Sequence, residues 1–285
     1  MAKAHQRTVA WVGFAIVAFA ANSLCCRLAL GGEKIDVGTF TLVRLGAGAI
    51  VLVAINLARR PRPAGLFACN ALSSLALFVY AAAFSLAYRQ LTAGTGALLL
   101  FGAVQATMLG GALSRGERPR RGEWLGLAIA LGGLAYLVSP GLGAPPATGS
   151  ALMVLAGAAW GIYSLRGRRL GDPLVSTAAI FLWALPLALM FWISVHGAIP
   201  AAPAGVMWAV LSGALASGVG YAVWYTALPT ITATRAATVQ LTVPIVAAFG
   251  GVGFLGETIS ARLLLASLLV LGGVGLAIFT RRLTK

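Results

Sequence analysis

The side chains able to do chemistry in this chain are few, and most of them are uncharged. Asn22, Arg44, Gln105 and Gln240 fall inside long apolar runs, where an apolar solvent would penalise each of them. Gln105 and Gln240 are amides that donate and accept at once, as an amino or carboxylate group requires, and Asn22 is similar. Helix-to-helix hydrogen bonding is the structural alternative for all three. Arg44 lies about seven residues into its run, about 10 Å down a helix rising 1.5 Å per residue. It suits the anchoring of a substrate carboxylate, and equally snorkelling to an interface or bracing a neighbouring helix. Pro244 has no N–H, so within a helix the carbonyl of Gln240 loses its partner, giving a hinge or a free acceptor. Pro186 repeats that pattern in another run.

The reactive groups are elsewhere. Six carboxylates (Glu33, Asp36, Glu117, Glu123, Asp172 and Glu257) and two histidines (His5 and His196) fall in loops or near run ends. No buried nucleophile pairs with a base, and there is neither a G-x-S-x-G elbow nor a phosphate-cradling glycine motif. The expectation is a protein that is not an enzyme, with no catalytic residue, metal or cofactor. Proton relays in membranes use Asp, Glu or His inside spans. Their absence at mid-depth leaves no obvious proton relay, with Glu117 and Glu257 leaving room for one. Cys25, Cys26 and Cys69 are an odd number without metal-ligand spacing, and read as small packing residues.

Aromatic side chains make the second pattern. Tyr80, Phe84 and Tyr88 recur every four residues on one helical face, and Tyr221, Trp224 and Tyr225 stand at i, i+3 and i+4. Trp160 and Tyr163 form a further group, opposite Phe19 and Asn22 at an offset of 141 positions. Such faces suit flat apolar solutes through burial and offset stacking, and organic cations through cation–π attraction. Ordinary helix packing is the competing explanation, and an interfacial aromatic belt explains Tyr88 best.

The elements that carry these residues are membrane spans. Hydrophobic residues form 60% of the 285 positions and charged residues 9%, at a mean hydropathy of +0.93. A soluble domain carries roughly 25% charged residues. Ten apolar runs of about the 20 residues that cross a bilayer are expected at 8–30, 37–58, 64–88, 92–113, 122–139, 148–167, 173–195, 204–227, 231–254 and 260–280. The net charge of +15 does not point to nucleic acid, because the basic residues sit in short loops rather than on a polar face. With the N-terminus inside, 15 Lys and Arg fall on the inner side and three on the outer, with Arg27, Arg44 and Arg235 inside spans. Positive charge stays cytoplasmic, so both termini are expected there. Lys3 and Arg7 before an apolar run ending in Ala18-Phe19-Ala20 mimic a signal peptide, but the first span is expected to belong to the fold.

The reason is an internal repeat. Gly116-Glu117 recurs as Gly256-Glu257 at an offset of 140, and Leu131-Gly132-Gly133 as Leu271-Gly272-Gly273. Ser23-Leu24 and Arg27 recur as Ser164-Leu165 and Arg168 at 141. Two units, 1–140 and 147–285, are expected, each with five spans. An odd number inverts the second copy in the membrane, the usual build of a secondary transporter. Glycines spaced for close helix approach, Gly157 with Gly161 and Gly122 with Gly126, fit such a bundle.

On the repeated Gly-Glu turns, the Trp160-Gly161 pair, Arg44 in the second span and the Leu-Gly-Gly runs, the chain resembles the drug/metabolite transporter superfamily in its ten-span EamA-type branch. Phe19-Ala20 stands where that pattern usually has Trp-Gly. Within the branch it is most similar to the YddG exporters of aromatic amino acids. The resemblance implies spans 1–4 and 6–9 around a central cavity, with spans 5 and 10 as a buttress, and it implies export from the cytoplasm of a bacterium across the inner membrane. Candidate substrate-binding residues are Asn22, Tyr80, Phe84, Gln105, Trp160, Tyr163, Tyr221, Trp224, Tyr225 and Gln240, with Arg44 as carboxylate anchor or structural brace and Pro244 as hinge. The expected partners are a small-molecule substrate and the lipid bilayer, for a monomer or weak dimer. Organic cations are the alternative cargo. A translocator of phosphorylated or nucleotide-linked sugars would need several Lys or Arg at mid-depth, and Arg44 is the one serious candidate.

Overall fold

In a hydrocarbon layer every backbone N–H and C=O must find its partner within the chain, and an apolar chain of this kind solves that with helices. The computed structural model describes residues 2–59, 65–114, 121–141, 143–167, 171–195, 197, 199, 201–227, 230 and 239–282. The successive helices are α1 (Ala2–Leu30), α2 (Val37–Ala58), α3 (Ala71–Ala87), α4 (Ala93–Leu113), α5 (Arg121–Val138), α6 (Ala147–Gly167), α7 (Pro173–Val195), α8 (Pro203–Ala227), α9 (Val243–Leu255) and α10 (Ala261–Arg282). Among the described residues seven helices are long and apolar enough to cross a membrane: α1, α2, α4, α6, α7, α8 and α10. α3 and α9 are shorter apolar helices. The features at Gly116-Glu117, Arg168, His196 and Arg235 lie outside the described residues.

Local chemistry sets the ends. Asp36 caps α2 by accepting the Thr39 N–H at 2.8 Å, and Asn70 caps α3 by accepting that of Ser73 at 3.2 Å. This second cap corrects the expected third span. Its helix starts at Ala71 rather than near residue 64, because an Asn side chain satisfies the first-turn donors that a longer helix would satisfy by itself. Gly256 closes α9 at φ +65°, a left-handed conformation that glycine adopts without steric cost.

Two further differences from expectation bear on the site. α8 is not a uniform α-helix. It runs as α from Pro203–Val210, widens into a π-helix over Leu211–Val219, and returns to α over Gly220–Ala227. α9 begins at Val243 with Pro244 in its first turn. Pro244 therefore does not kink the middle of a long helix; it stands where a missing N–H has no helical partner to lose. Val239 and Gln240 are helical and precede a turn at Leu241 and Thr242, which separates them from α9.

The packing follows a pairing rule. α2 packs on α7, α5 on α10, α6 against both α3 and α4, and α1 against both α8 and α9. Glycines bring these pairs close: a Cβ at Gly126 would meet the Gly273 carbonyl, and one at Gly157 would lie 2.6 Å from the Leu100 carbonyl. The core centres on α2, α3, α6 and α7, and among its fully buried side chains are Phe40, Phe84, Tyr88, Phe181 and, unusually, Arg44.

Candidate functional site

The aromatic residues converge at the middle of this bundle. Trp160 of α6 stacks on Tyr221 of α8, with ring centroids 5.3 Å apart and planes 22° from parallel. Tyr80 of α3 lies 4.7 Å from Trp160 and 5.3 Å from Phe84. Phe19 of α1 reaches Tyr221 at 5.7 Å. Such tilted and offset pairs each add to the stabilisation that burial provides. Together the rings form one wall of a void that is also lined by Asn22, Ser23, Leu100, Phe101, Val104, Ala216, Ser217 and Gln240. The void offers about 30 Å³ to the centres of water-sized molecules, enough for water but not for an aromatic ring unless the walls part.

A polar chain runs along the same wall. Ser212 Oγ donates to Asn22 Oδ1 at 2.6 Å, Asn22 Nδ2 donates to Tyr80 Oη at 3.1 Å, and Arg44 Nη2 donates to the same Oη at 2.9 Å. The π segment positions its part of this chain. Its wider winding leaves the Ser212 carbonyl to accept from Ser217 Oγ at 2.9 Å, and π segments within helices recur at functional sites. Gly213 lets the segment lie directly on the backbone of Arg44, where any Cβ would run into the Arg44 carbonyl.

The structure thus places Asn22, Tyr80, Phe84, Trp160, Tyr221 and Gln240 on the void. Tyr163, Trp224 and Tyr225 stand behind it. Tyr163 packs on Trp160 at 5.2 Å and its hydroxyl pairs with Thr177, Trp224 meets Phe19 edge-on at 5.9 Å, and Tyr225 lies 6.4 Å from Tyr221. Gln105 is half-buried and is not on the wall, whereas its neighbour Val104 is. Arg44 sits behind Tyr80 and Phe84, with Cζ 5.1 and 4.8 Å from their ring centroids. Sequence reasoning did not single out Ser23, Leu100, Phe101, Val104, Ala216 or Ser217, nor Ser212 behind them. The small polar residues spaced along α8, Ser212 and Ser217 beside Gly213 and Gly218, were the available signal for the last two.

Polar contacts also tie the ends of the helices. Arg27 at the end of α1 bridges to Glu257 at 3.1 Å and donates to the Tyr88 carbonyl at 3.1 Å, while Glu257 accepts the Ala93 N–H at 2.8 Å. At the opposite ends Arg59 pairs with Asp172 at 2.5 Å, and Arg166 donates to Ser73 and Asn70. The Arg59 guanidinium holds the Asp172 carboxyl below its ordinary value, helped by the Val175 and Leu174 N–H groups, and Asp172 raises Arg59 in turn. Among the described residues no group of His, Cys, Asp and Glu is arranged to hold a metal ion.

Apolar spans packed around a ring-walled pocket with a buried polar chain have the build of a membrane transporter. The model of the EamA-like transporter family matches residues 6–139 and again 147–279, and the chain belongs to that family. Its members are transporters and not enzymes. The chain is 52% identical to Uncharacterized protein PA1977 of Pseudomonas aeruginosa, over 97% of this chain and 96% of that one. A solved structure titled "Crystal structure of protein" shares the fold at a TM-score of 0.67 and 19% identity, covering 95% of this chain and 99% of the other.

Proposed function

We propose that this chain exports small aromatic solutes, aromatic amino acids first, across the bacterial inner membrane by alternating access. In this reading ten spans form two inverted five-helix units, 1–140 and 147–285, with both termini in the cytoplasm. The pairing rule supports it, since exchanging each helix for the one five places on turns the α3–α6 and α4–α6 contacts into α8–α1 and α9–α1. Tyr80 and Tyr221, at an offset of 141, face the void from corresponding places in the two units.

The observation that carries the cargo is the stacked pair of Trp160 and Tyr221 with Tyr80 and Phe19 around them. An aromatic solute entering that wall exchanges water for ring faces, and burying an aromatic side chain contributes about 2–3 kcal/mol. The test is counterflow: proteoliposomes preloaded with unlabelled phenylalanine or tryptophan take up the labelled form. Uptake should saturate, depend on the internal load, and fall about tenfold or more in Trp160→Ala, the loss of one stacking face. Labelled solute that enters equally from empty vesicles, or a Trp160→Ala variant as fast as the parent, would sink this reading. One observation favours a second cargo, because the same ring faces attract organic cations.

A further inference from the structure

Arg44 carries a positive charge that its surroundings do not offset. It is 2% exposed. Among the described residues the ion pairs join Arg27 to Glu257, Arg59 to Asp172 and Arg89 to Glu33, and Arg44 meets no carboxylate. Nη2 bonds to Tyr80, while Nε and Nη1 have no hydrogen-bond partner among the described residues. The rings of Tyr80 and Phe84 soften the charge by cation–π attraction without neutralising it. A guanidinium does not escape by releasing its proton, so the chain bears the cost of a buried cation at all working pH values.

What lies in front of that charge gives it a use. The Tyr80 oxygen already accepts two hydrogen bonds, from Arg44 and from Asn22. A hydroxyl has two acceptor lone pairs and one hydrogen, so Tyr80 has its own O–H left to donate. In the structure Asn22 turns its amide N–H to Tyr80 while its Oδ1 accepts from Ser212 at 2.6 Å. Tyr80, Phe84 and Asn22 line the void, and Arg44 stands directly behind the rings of Tyr80 and Phe84. The wall therefore presents a donor backed by a cation. A solute oxygen accepting from Tyr80 would sit within about 6 Å of the guanidinium, two hydrogen-bond lengths away, where little water screens the attraction.

We propose that Arg44, acting through Tyr80 and Asn22, sets the charge selectivity of the central site. The site accepts solutes that carry a carboxylate, zwitterions included, and rejects solutes whose sole charge is positive. Arg44 is a positioning residue here, since Tyr80 rather than Arg44 touches the solute. The proposal rests on reading the void as the solute site. It removes the organic cation as cargo even though the ring faces alone would welcome one.

Matched solutes test it. Purified full-length protein is titrated with two pairs that differ in charge, phenylpropanoate against phenethylamine and butanoate against butylamine, with thermal stabilisation as the readout. In each pair the carboxylate should stabilise at about tenfold lower concentration than the amine, the worth of a charge-assisted hydrogen bond. Arg44→Gln should bring the two to parity. Tyr80→Phe should also erase most of the difference although Arg44 keeps its charge, an outcome that a merely structural arginine does not give. If Arg44→Gln does not fold, Tyr80→Phe decides alone. An amine that matches its carboxylate, no effect from either carboxylate, or a difference that survives in Tyr80→Phe overturns the proposal. Butanoate acting as well as phenylpropanoate would keep the charge rule and sink the aromatic reading. Phenethylamine as the best stabiliser would do the reverse.

Discussion

At the scale of single residues, the charges divide by how much water they keep. Arg27 and Glu257 are mostly withdrawn from solvent, at 23% and 11% side-chain exposure, and both oxygens of Glu257 are used, one by Arg27 and one by the Ala93 N–H. Removing one partner of such a pair strands the other, so Glu257→Gln should destabilise by about 1–3 kcal/mol, read as a drop in the melting midpoint. An unchanged midpoint would show that the pair is not formed in solution. Arg59 and Asp172 keep 40% and 35% of their side-chain exposure, and an exposed pair contributes only about 0.2–1 kcal/mol. Because Asp172 titrates lower in the folded chain than its ordinary value, its contribution is complete above about pH 4 and fades as pH falls through the lowered value. The stability difference between the parent and Asp172→Asn should therefore be measurable at about pH 6 and shrink on acidification, in unfolding scans across that range. A difference that grows toward acid would have the wrong sign. These two pairs also show what single residues told in advance. Glu257 was legible as a marker of the repeat, whereas its bond to Arg27, 230 positions away, needed the fold.

Elements were legible in proportion to how far hydrophobicity alone decides them. The ends of α2, α6, α7, α8 and α10 fall within a residue or two of the expected runs, because apolar length and flanking prolines set them. α3 was misplaced at its start, since an apolar stretch from Leu66 to Cys69 reads as span while Asn70 acts as a cap. The π segment was invisible for a deeper reason: it depends on what lies beside it. Gly213 and Gly218 let the wider turn lie on α2, against the Arg44 backbone and the Val51 side chain, and nothing in the local pattern of α8 announces α2. The same contact makes a prediction. Gly213→Ala places a methyl group into the Arg44 carbonyl, and forced overpacking costs about 1–3 kcal/mol. Because the shift falls on Ser212 and Arg44 together, the variant should lose solute affinity as well as melting temperature. Gly132→Ala, with open space around its Cβ, is the control that should change neither. Equal behaviour of the two variants would mean that α8 and α2 do not touch there.

For the whole molecule, the question is which side each end of the bundle faces, and the chain carries its own reporter. Six of the ten candidate side chains line one void, brought there by α1, α3, α6, α8 and the helical residues before α9. In the proposed topology, with the N-terminus inside, the loop between α2 and α3 faces the cytoplasm together with Arg59, Asp172 and Arg166, and Arg27 and Glu257 face the other side. Cys69 lies in that loop and is exposed, while Cys25 and Cys26 are buried in α1. A thiol reagent that cannot cross membranes should therefore label the unmodified protein at one position and from one side. Inside-out vesicles should label, sealed right-side-out vesicles should not, and Cys69→Ser should abolish the signal. Labelling from outside would invert the assignment, and with it the meaning of 15 basic residues against three. Labelling from both sides would mean that the bundle inserts in two orientations. The direction of export then becomes testable on the same vesicles, since the Arg27–Glu257 contact closes the outer end in this reading and has to part before any solute leaves.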